Sequence, residues 1–204
     1  MDERRVVRFR RMADGTEADY KLLEELEHEF HKQLPGRILR ELKDLEHSYS
    51  GYQVTRLEHS LISATMAERD KADADWVVAA LIHDIGDALS PHNHSQLAAA
   101  IAAPYLREEC TWALKTHGVF QMVYYAHFTG GDRYARDAYK DHPYYQTGID
   151  FCERWDQSAF DPDYDYHPLE HFTPLIQQVF SRTPWDPAVL RKGEKVPLIG
   201  SAVA

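Results

Sequence analysis

The 204-residue sequence is poor in cysteine. It has two, Cys110 and Cys152, which lie far apart and form no CxxC pair. That excludes a disulfide framework and a thiolate zinc site. No apolar run reaches the roughly 18–20 residues needed to span a bilayer. The opening stretch MDERRVVRFRRMADG is charged, without an apolar h-region or a small-residue cleavage site. A cytoplasmic protein with no membrane partner is the expectation. Basic residues are also in deficit, 23 Lys and Arg against 33 Asp and Glu, for a net charge of -10. Such a chain has no basic footprint for nucleic acid. It can still take an anionic small molecule, because a bound metal inverts the local field. Strand-like alternation, hairpin turn signals and internal repeats are missing as well.

What remains is helical. Thr16 caps a helix through DYKLLEELEHEFHKQL, with Leu22, Leu23, Leu26 and Phe30 as its apolar stripe. Pro35-Gly36 stops it, and RILRELKDLEH forms a second, shorter helix. HSYSGYQ (47–53) reads as a tyrosine-bearing loop, followed by a helix from Val54 to about Arg69. DADWVVAALIHDIG (73–86) starts with acidic residues and ends at a capping Gly86. SPHNHSQ opens into an alanine-rich helix broken by Pro104. Further helices cover 107–128, 144–160 and 169–182. The prediction is an all-α fold in one domain.

Twelve histidines direct attention to where they sit. In LIHDIGD (81–87), His83 and Asp84 stand side by side among Val77, Val78, Ala80, Leu81, Ile82 and Ile85. A lone buried histidine is usually a satisfied core residue. A buried histidine with a buried carboxylate beside it calls for a partner or a metal. Around this pair, in chain order, stand His59 in RLEHSL, His94 in HNHSQ, His117 in KTHGVFQ and Asp156 in ERWDQ. Four imidazoles and two carboxylates suit borderline divalent metals such as iron, manganese or zinc. His28 and His31 read as solvent-facing, and His127, His142, His167 and His171 as outside the set. His94 is preferred to His92 because it immediately precedes the helix.

The order H…HD…H…H…D resembles the HD-domain superfamily over residues 49–160, specifically its dinuclear branch. The resemblance implies a helical HD bundle, with N-terminal helices over 1–48, the HD domain over 49–183 and a tail over 184–204. It implies that His59, His83, Asp84 and Asp156 hold one metal while Asp84, His94 and His117 hold the other, Asp84 bridging. Most HD proteins hydrolyse phosphoesters. A smaller branch consists of mixed-valent di-iron oxygenases, and the chain is similar in size and layout to those acting on 1-hydroxy-2-aminoethylphosphonate and its trimethylammonio analogue. That branch implies two irons, Fe(II) and Fe(III), with an organophosphonate and dioxygen as substrates and cleavage of the carbon–phosphorus bond. Phosphate and glycine betaine would be the products, or glycine from the amino compound. The alternative is a metal-dependent phosphohydrolase of a nucleotide or other phosphoester.

The resemblance extends to Tyr49, ten residues before His59, where related oxygenases carry a tyrosine that occupies an iron until substrate displaces it. Tyr52 or Gln53 would form the lid near it. Two positions depart from the amino-substrate enzyme. Asp87 stands where a histidine would help hold the phosphonate, and Gln121 where a lysine would. Both changes favour the trimethylammonio branch, whose quaternary ammonium prefers aromatic faces and carboxylates. Arg133, Arg136, Lys140 and Arg154 are the candidate cations for the phosphonate, with no favourite among them.

Overall fold

Thr16 opens the first helix with a capping box: its hydroxyl accepts from the Asp19 N–H while the Asp19 carboxylate takes the Thr16 N–H. The computed structural model describes residues 5–48 and 51–202. Helix α1 spans Glu17–Lys32 and α2 spans Leu34–Asp44. Pro35-Gly36 therefore does not act as a stop. Pro35 sits in the first turn of α2, where its missing N–H costs nothing. The stripe expected on α1 packs only loosely: no residue of the helix is buried. Phe30 lies exposed under the Arg37 guanidinium, 3.9 Å from the ring centroid.

Seven more α-helices follow among the described residues: α3 (Arg56–Arg69), α4 (Ala74–Ile82), α5 (His94–Ala102), α6 (Glu108–Tyr125), α7 (Tyr145–Phe151), α8 (Leu169–Phe180) and the short α9 (Pro187–Leu190). A π-helical turn, Cys152–Asp156, extends α7. There is no strand among the described residues, and no described helix is long and apolar enough to cross a membrane. The fold is the expected all-α bundle.

Helix α4 is its centre. Every residue from Asp75 to Ile82 is buried, as a helix packed on all sides requires. Its Trp76 ring meets Phe151 and Trp155 at centroid distances of 6.3 and 6.1 Å. Asp75, a charge in this apolar setting, accepts from the Arg107 backbone N–H at 3.0 Å and from Arg182 Nη1 at 2.7 Å. A buried carboxylate so paired avoids the cost of an orphan. The described part of the C-terminal stretch runs over the same helix. The Trp76 indole donates to the Val196 carbonyl at 3.2 Å, and the Gly200 N–H to the Asp70 carbonyl at 2.9 Å.

Helix α4 ends at Ile82, four residues earlier than expected. The chain continues in tight turns, Ile85 N–H bonding the Ile82 carbonyl and Asp87 N–H the Asp84 carbonyl. His83 keeps αR geometry as the cap (φ -58°, ψ -33°), and Asp84 follows it in the turn. Gly86 is not a left-handed cap. A Cβ there would stand 2.8 Å from the His94 carbonyl oxygen and 3.0 Å from Leu97 Cβ, so this glycine lets the turn approach the start of α5.

Candidate metal centre

Five separate stretches converge on one point. Helix α3 brings Arg56 and His59, an i, i+3 pair on one face. The turn after α4 brings His83 and Asp84, α5 opens on His94, and the middle of α6 carries His117. The π turn delivers Asp156. His59, His83, Asp84, His117 and Asp156 are buried, and His94 is about a quarter exposed.

The backbone orients all four imidazoles. His83 Nδ1 lies 2.7 Å from the Ala80 carbonyl, His117 Nδ1 2.7 Å from Leu114, His59 Nδ1 3.1 Å from Ala159 and His94 Nδ1 3.5 Å from Pro91. A carbonyl can only accept, so Nδ1 carries the hydrogen and Nε2 presents its lone pair inward. The inward atoms crowd in two pairs: His59 and His83 Nε2 are 2.9 Å apart, and His94 and His117 Nε2 are 3.2 Å apart. Facing lone pairs at such distances repel unless a proton or a metal cation lies between them.

Asp84 divides its oxygens between the pairs. Oδ1 lies 3.3 Å from both His94 and His117 Nε2. Oδ2 lies 3.7 Å from His59 and 3.6 Å from His83 Nε2. Asp156 Oδ1 completes the His59–His83 side at 3.3 and 3.6 Å. His59, His83 and Asp156 form one group able to hold a metal, and His83, Asp84 and His117 another. The donor set and its orientation fit two borderline divalent ions. His59, His83, Asp84 and Asp156 would hold one, and Asp84, His94 and His117 the other.

The local electrostatics agree. Burial works against charge throughout, yet Asp84 and Asp156 push His83 up to about 9. Against the same burial, His83 leads the groups that hold Asp84 and Asp156 well below the usual carboxylate range. Two buried carboxylates thus demand positive charge, which protons supply when metal does not. His94 is moved down, by burial foremost. Cys152, 3.9 Å from Asp156 Oδ2, is pushed up by burial and stays a thiol.

The centre opens on one side into a cavity of about 330 Å³, lined among others by Tyr52, Arg56, His94, Gln121, Tyr125 and Phe160. Of the expected contacts, Tyr52 and Gln121 line it. Arg133 and Arg154 do not. Arg133 stands over its neighbour Tyr134, 5.6 Å from the ring, and Arg154 turns away toward Asp70 at 3.8 Å. Asp87 is not a wall of the cavity either. It accepts from Ser48 Oγ at 2.6 Å and lies 3.6 Å from Arg56 Nε, backing that guanidinium. Tyr49 lies outside the described residues.

Sequence reasoning missed the cation at the mouth, Arg56. Its Nη1 donates to Asp84 Oδ2 at 2.9 Å, and its guanidinium stands 5.2 Å from the Tyr52 ring centroid. The signal was available: Arg56 precedes His59 by one helical turn, on the same face. Phe160 was missed as well; it stacks on the His59 ring at 4.3 Å.

The two sides should separate on mutation. His117→Ala is expected to lose the metal beside His94 and keep the other, leaving about one per chain. His83→Ala should damage the His59–Asp156 side first. Metal analysis of the two purified variants checks this, and identical losses would contradict the division.

Residues 56–143 match the family model described as HD domain. A hydroxymethylphosphonate dioxygenase from Gimesia maris is 26% identical over 183 residues, covering 80% of this chain and 83% of the relative.

Proposed function

We propose that this all-α HD-domain protein is a di-iron oxygenase that cleaves the carbon–phosphorus bond of a small 1-hydroxyphosphonate. The observation that carries the reading is the asymmetry of the centre. On one side of Asp84 stand three further donors, His59, His83 and Asp156, and on the other only His94 and His117, which leaves that second side the more open to a ligand; Asp84, His94, His117 and Asp156 all line the cavity. A substrate presenting a hydroxyl and a phosphonate oxygen suits that open side. Arg56, at the cavity mouth, is a fitting partner for the remaining phosphonate oxygens. The likeness to a phosphonate dioxygenase along most of the chain favours oxygenation over phosphoester hydrolysis.

When bound, the two irons, one Fe(II) and one Fe(III), would supply the redox and Lewis-acid chemistry. The chain's own residues do the rest. His59, His83, His94 and His117 keep their Nε2 atoms aimed inward through the Nδ1–carbonyl bonds. Asp84 holds the two sides in register, and Phe160, stacked on His59, helps exclude water. Tyr49 would guard the dioxygen position until substrate arrives. In the overall reaction one dioxygen is consumed, and the carbon–phosphorus bond and one carbon–hydrogen bond break. One carboxylate and one dihydrogen phosphate form, with no other co-reactant.

The finer reading is a substrate bearing a trimethylammonio group. Such a cation cannot donate hydrogen bonds and prefers ring faces, and Tyr52, Tyr124, Tyr125 and Phe160 line the cavity. The products would then be phosphate and glycine betaine, made in the cytoplasm.

The experiment is an oxygen-electrode and phosphate assay on the iron-loaded protein with hydroxymethylphosphonate, 1-hydroxy-2-aminoethylphosphonate and its trimethylammonio analogue. One phosphate per dioxygen, none without dioxygen, and the highest kcat/KM on the trimethylammonio compound are expected. Full anaerobic turnover, or divalent-metal-supported hydrolysis of a phosphoester panel, would identify a phosphohydrolase and sink the proposal. A preference for hydroxymethylphosphonate would overturn only the finer reading.

A further inference from the structure

We infer that Glu68, His167 and His171 form a second metal site, on the surface, that takes one borderline divalent cation such as Zn²⁺. Glu68 lies in the last turn of α3. His167 lies just before the start of α8 and His171 in its first turn. His171 Nε2 is 2.9 Å from Glu68 Oε2 and 3.0 Å from Oε1, and His167 Nε2 is 3.4 Å from Oε2. One ligand atom from each residue falls within 4.8 Å of the others. With metal–ligand bonds of 2.0–2.1 Å, the edges of a tetrahedral zinc site are about 3.3 Å long. The carboxylate–imidazole distances bracket that value, so small shifts would admit the ion.

The two rings are held parallel before any ion arrives. Their centroids are 4.1 Å apart with an interplanar angle of 23°. The His167 backbone N–H donates to Thr65 Oγ1 at 3.0 Å, and the His171 N–H to the Pro168 carbonyl at 3.0 Å. Thr65 is itself buried in α3 and donates to the Leu61 carbonyl at 2.7 Å. Both histidines are therefore tied to backbone that does not have to reorganise. The nearby cation Arg69 is occupied elsewhere, by Asp165 at 3.0 Å. Two imidazoles and one carboxylate suit zinc better than magnesium or calcium. The side chains are about two-fifths exposed, which leaves a fourth position for water. Binding would clamp the end of α3 to the start of α8. The segment between them includes Phe160, which packs on His59, and Tyr166, whose hydroxyl donates to Glu58 at 3.2 Å.

The test counts zinc by equilibrium dialysis and mass spectrometry on the protein already loaded with iron. One zinc per chain, gained without loss of iron, is expected at low micromolar Zn²⁺. Glu68→Gln and His171→Ala should each weaken zinc binding at least about tenfold, with iron content unchanged. Zinc should raise the melting temperature of the parent protein and not of these variants. The zinc equivalent should also persist in an Asp84→Asn background, where the buried centre is disabled. No zinc uptake, uptake matched by iron loss, or equal uptake by the parent and both variants would overturn the inference. None of these readouts depends on dioxygen chemistry, so the site stands or falls apart from the oxygenase reading.

Discussion

Asp84→Ala is expected to empty both sides of the centre, reducing bound metal from about two per chain to less than half of one. Turnover should fall by more than about a hundredfold, beyond the usual effect of losing an outer-shell partner. The reason lies in how one carboxylate is shared. Its Oδ1 serves His94 and His117 at 3.3 Å each, and its Oδ2 faces His59 and His83. No other carboxylate reaches the His94 side among the described contacts. Removing Asp84 also strips Arg56 of its 2.9 Å partner. Breaking one side of a buried ion pair typically costs about 3–5 kcal/mol. Asp84→Asn keeps the shape and tests the charge alone. Both variants should be melted without metal before metal analysis, so that unfolding is not mistaken for lost coordination. Two full metal equivalents in folded Asp84→Asn would refute the bridging role.

Arg56→Gln should behave differently. Both metals are expected to stay, because none of the six ligands is touched, while KM for the phosphonate rises roughly tenfold to a hundredfold. A hydrogen bond to a charged group contributes about 1.5–3 kcal/mol, and each 1.4 kcal/mol is a factor of ten. The effect should fall mainly on KM, with kcat changed less, since Arg56 is proposed to hold the anion and not the reacting carbon. Arg56→Lys should recover part of the affinity: the charge returns without the planar fork. Inhibition by inorganic phosphate should weaken in parallel with KM. An unchanged KM in the glutamine variant would remove Arg56 from the substrate site and leave it as a partner of Asp84 and Asp87 only.

The helical fold was readable because helix periodicity and cap residues at Thr16 and Asp73 agree with one another. The convergence of His59, His83, Asp84, His94, His117 and Asp156 was readable because a buried histidine beside a buried carboxylate calls for a partner and the order of the six residues is itself a pattern. The substrate side was not. Arginines outside the apolar stripes have no periodic signature, so charge alone points to Arg133 and Arg154, while the guanidinium at the cavity belongs to α3. Asp87 faces the back of Arg56 from the turn that follows α4, where Gly86 lies against the start of α5. The π turn at Cys152–Asp156 is likewise a tertiary outcome. Wide turns of this kind concentrate at functional sites, and no residue pattern announces them.

The four imidazoles differ in where their orienting carbonyls come from. His83, His94 and His117 each rely on a carbonyl three positions earlier in their own segment, at Ala80, Pro91 and Leu114. His59 relies on Ala159, a hundred residues away. Three ligands are thus aimed by their own short stretches of chain, whereas the fourth must wait for a long loop to close, an event opposed by chain entropy. Asp156 arrives with the same late segment. As the chain emerges from its N-terminus, the His94–His117 half has all its parts once α6 is made. The half containing His59 is the last to be finished, and the six-residue cluster stays incomplete until residues 156–159 have joined it.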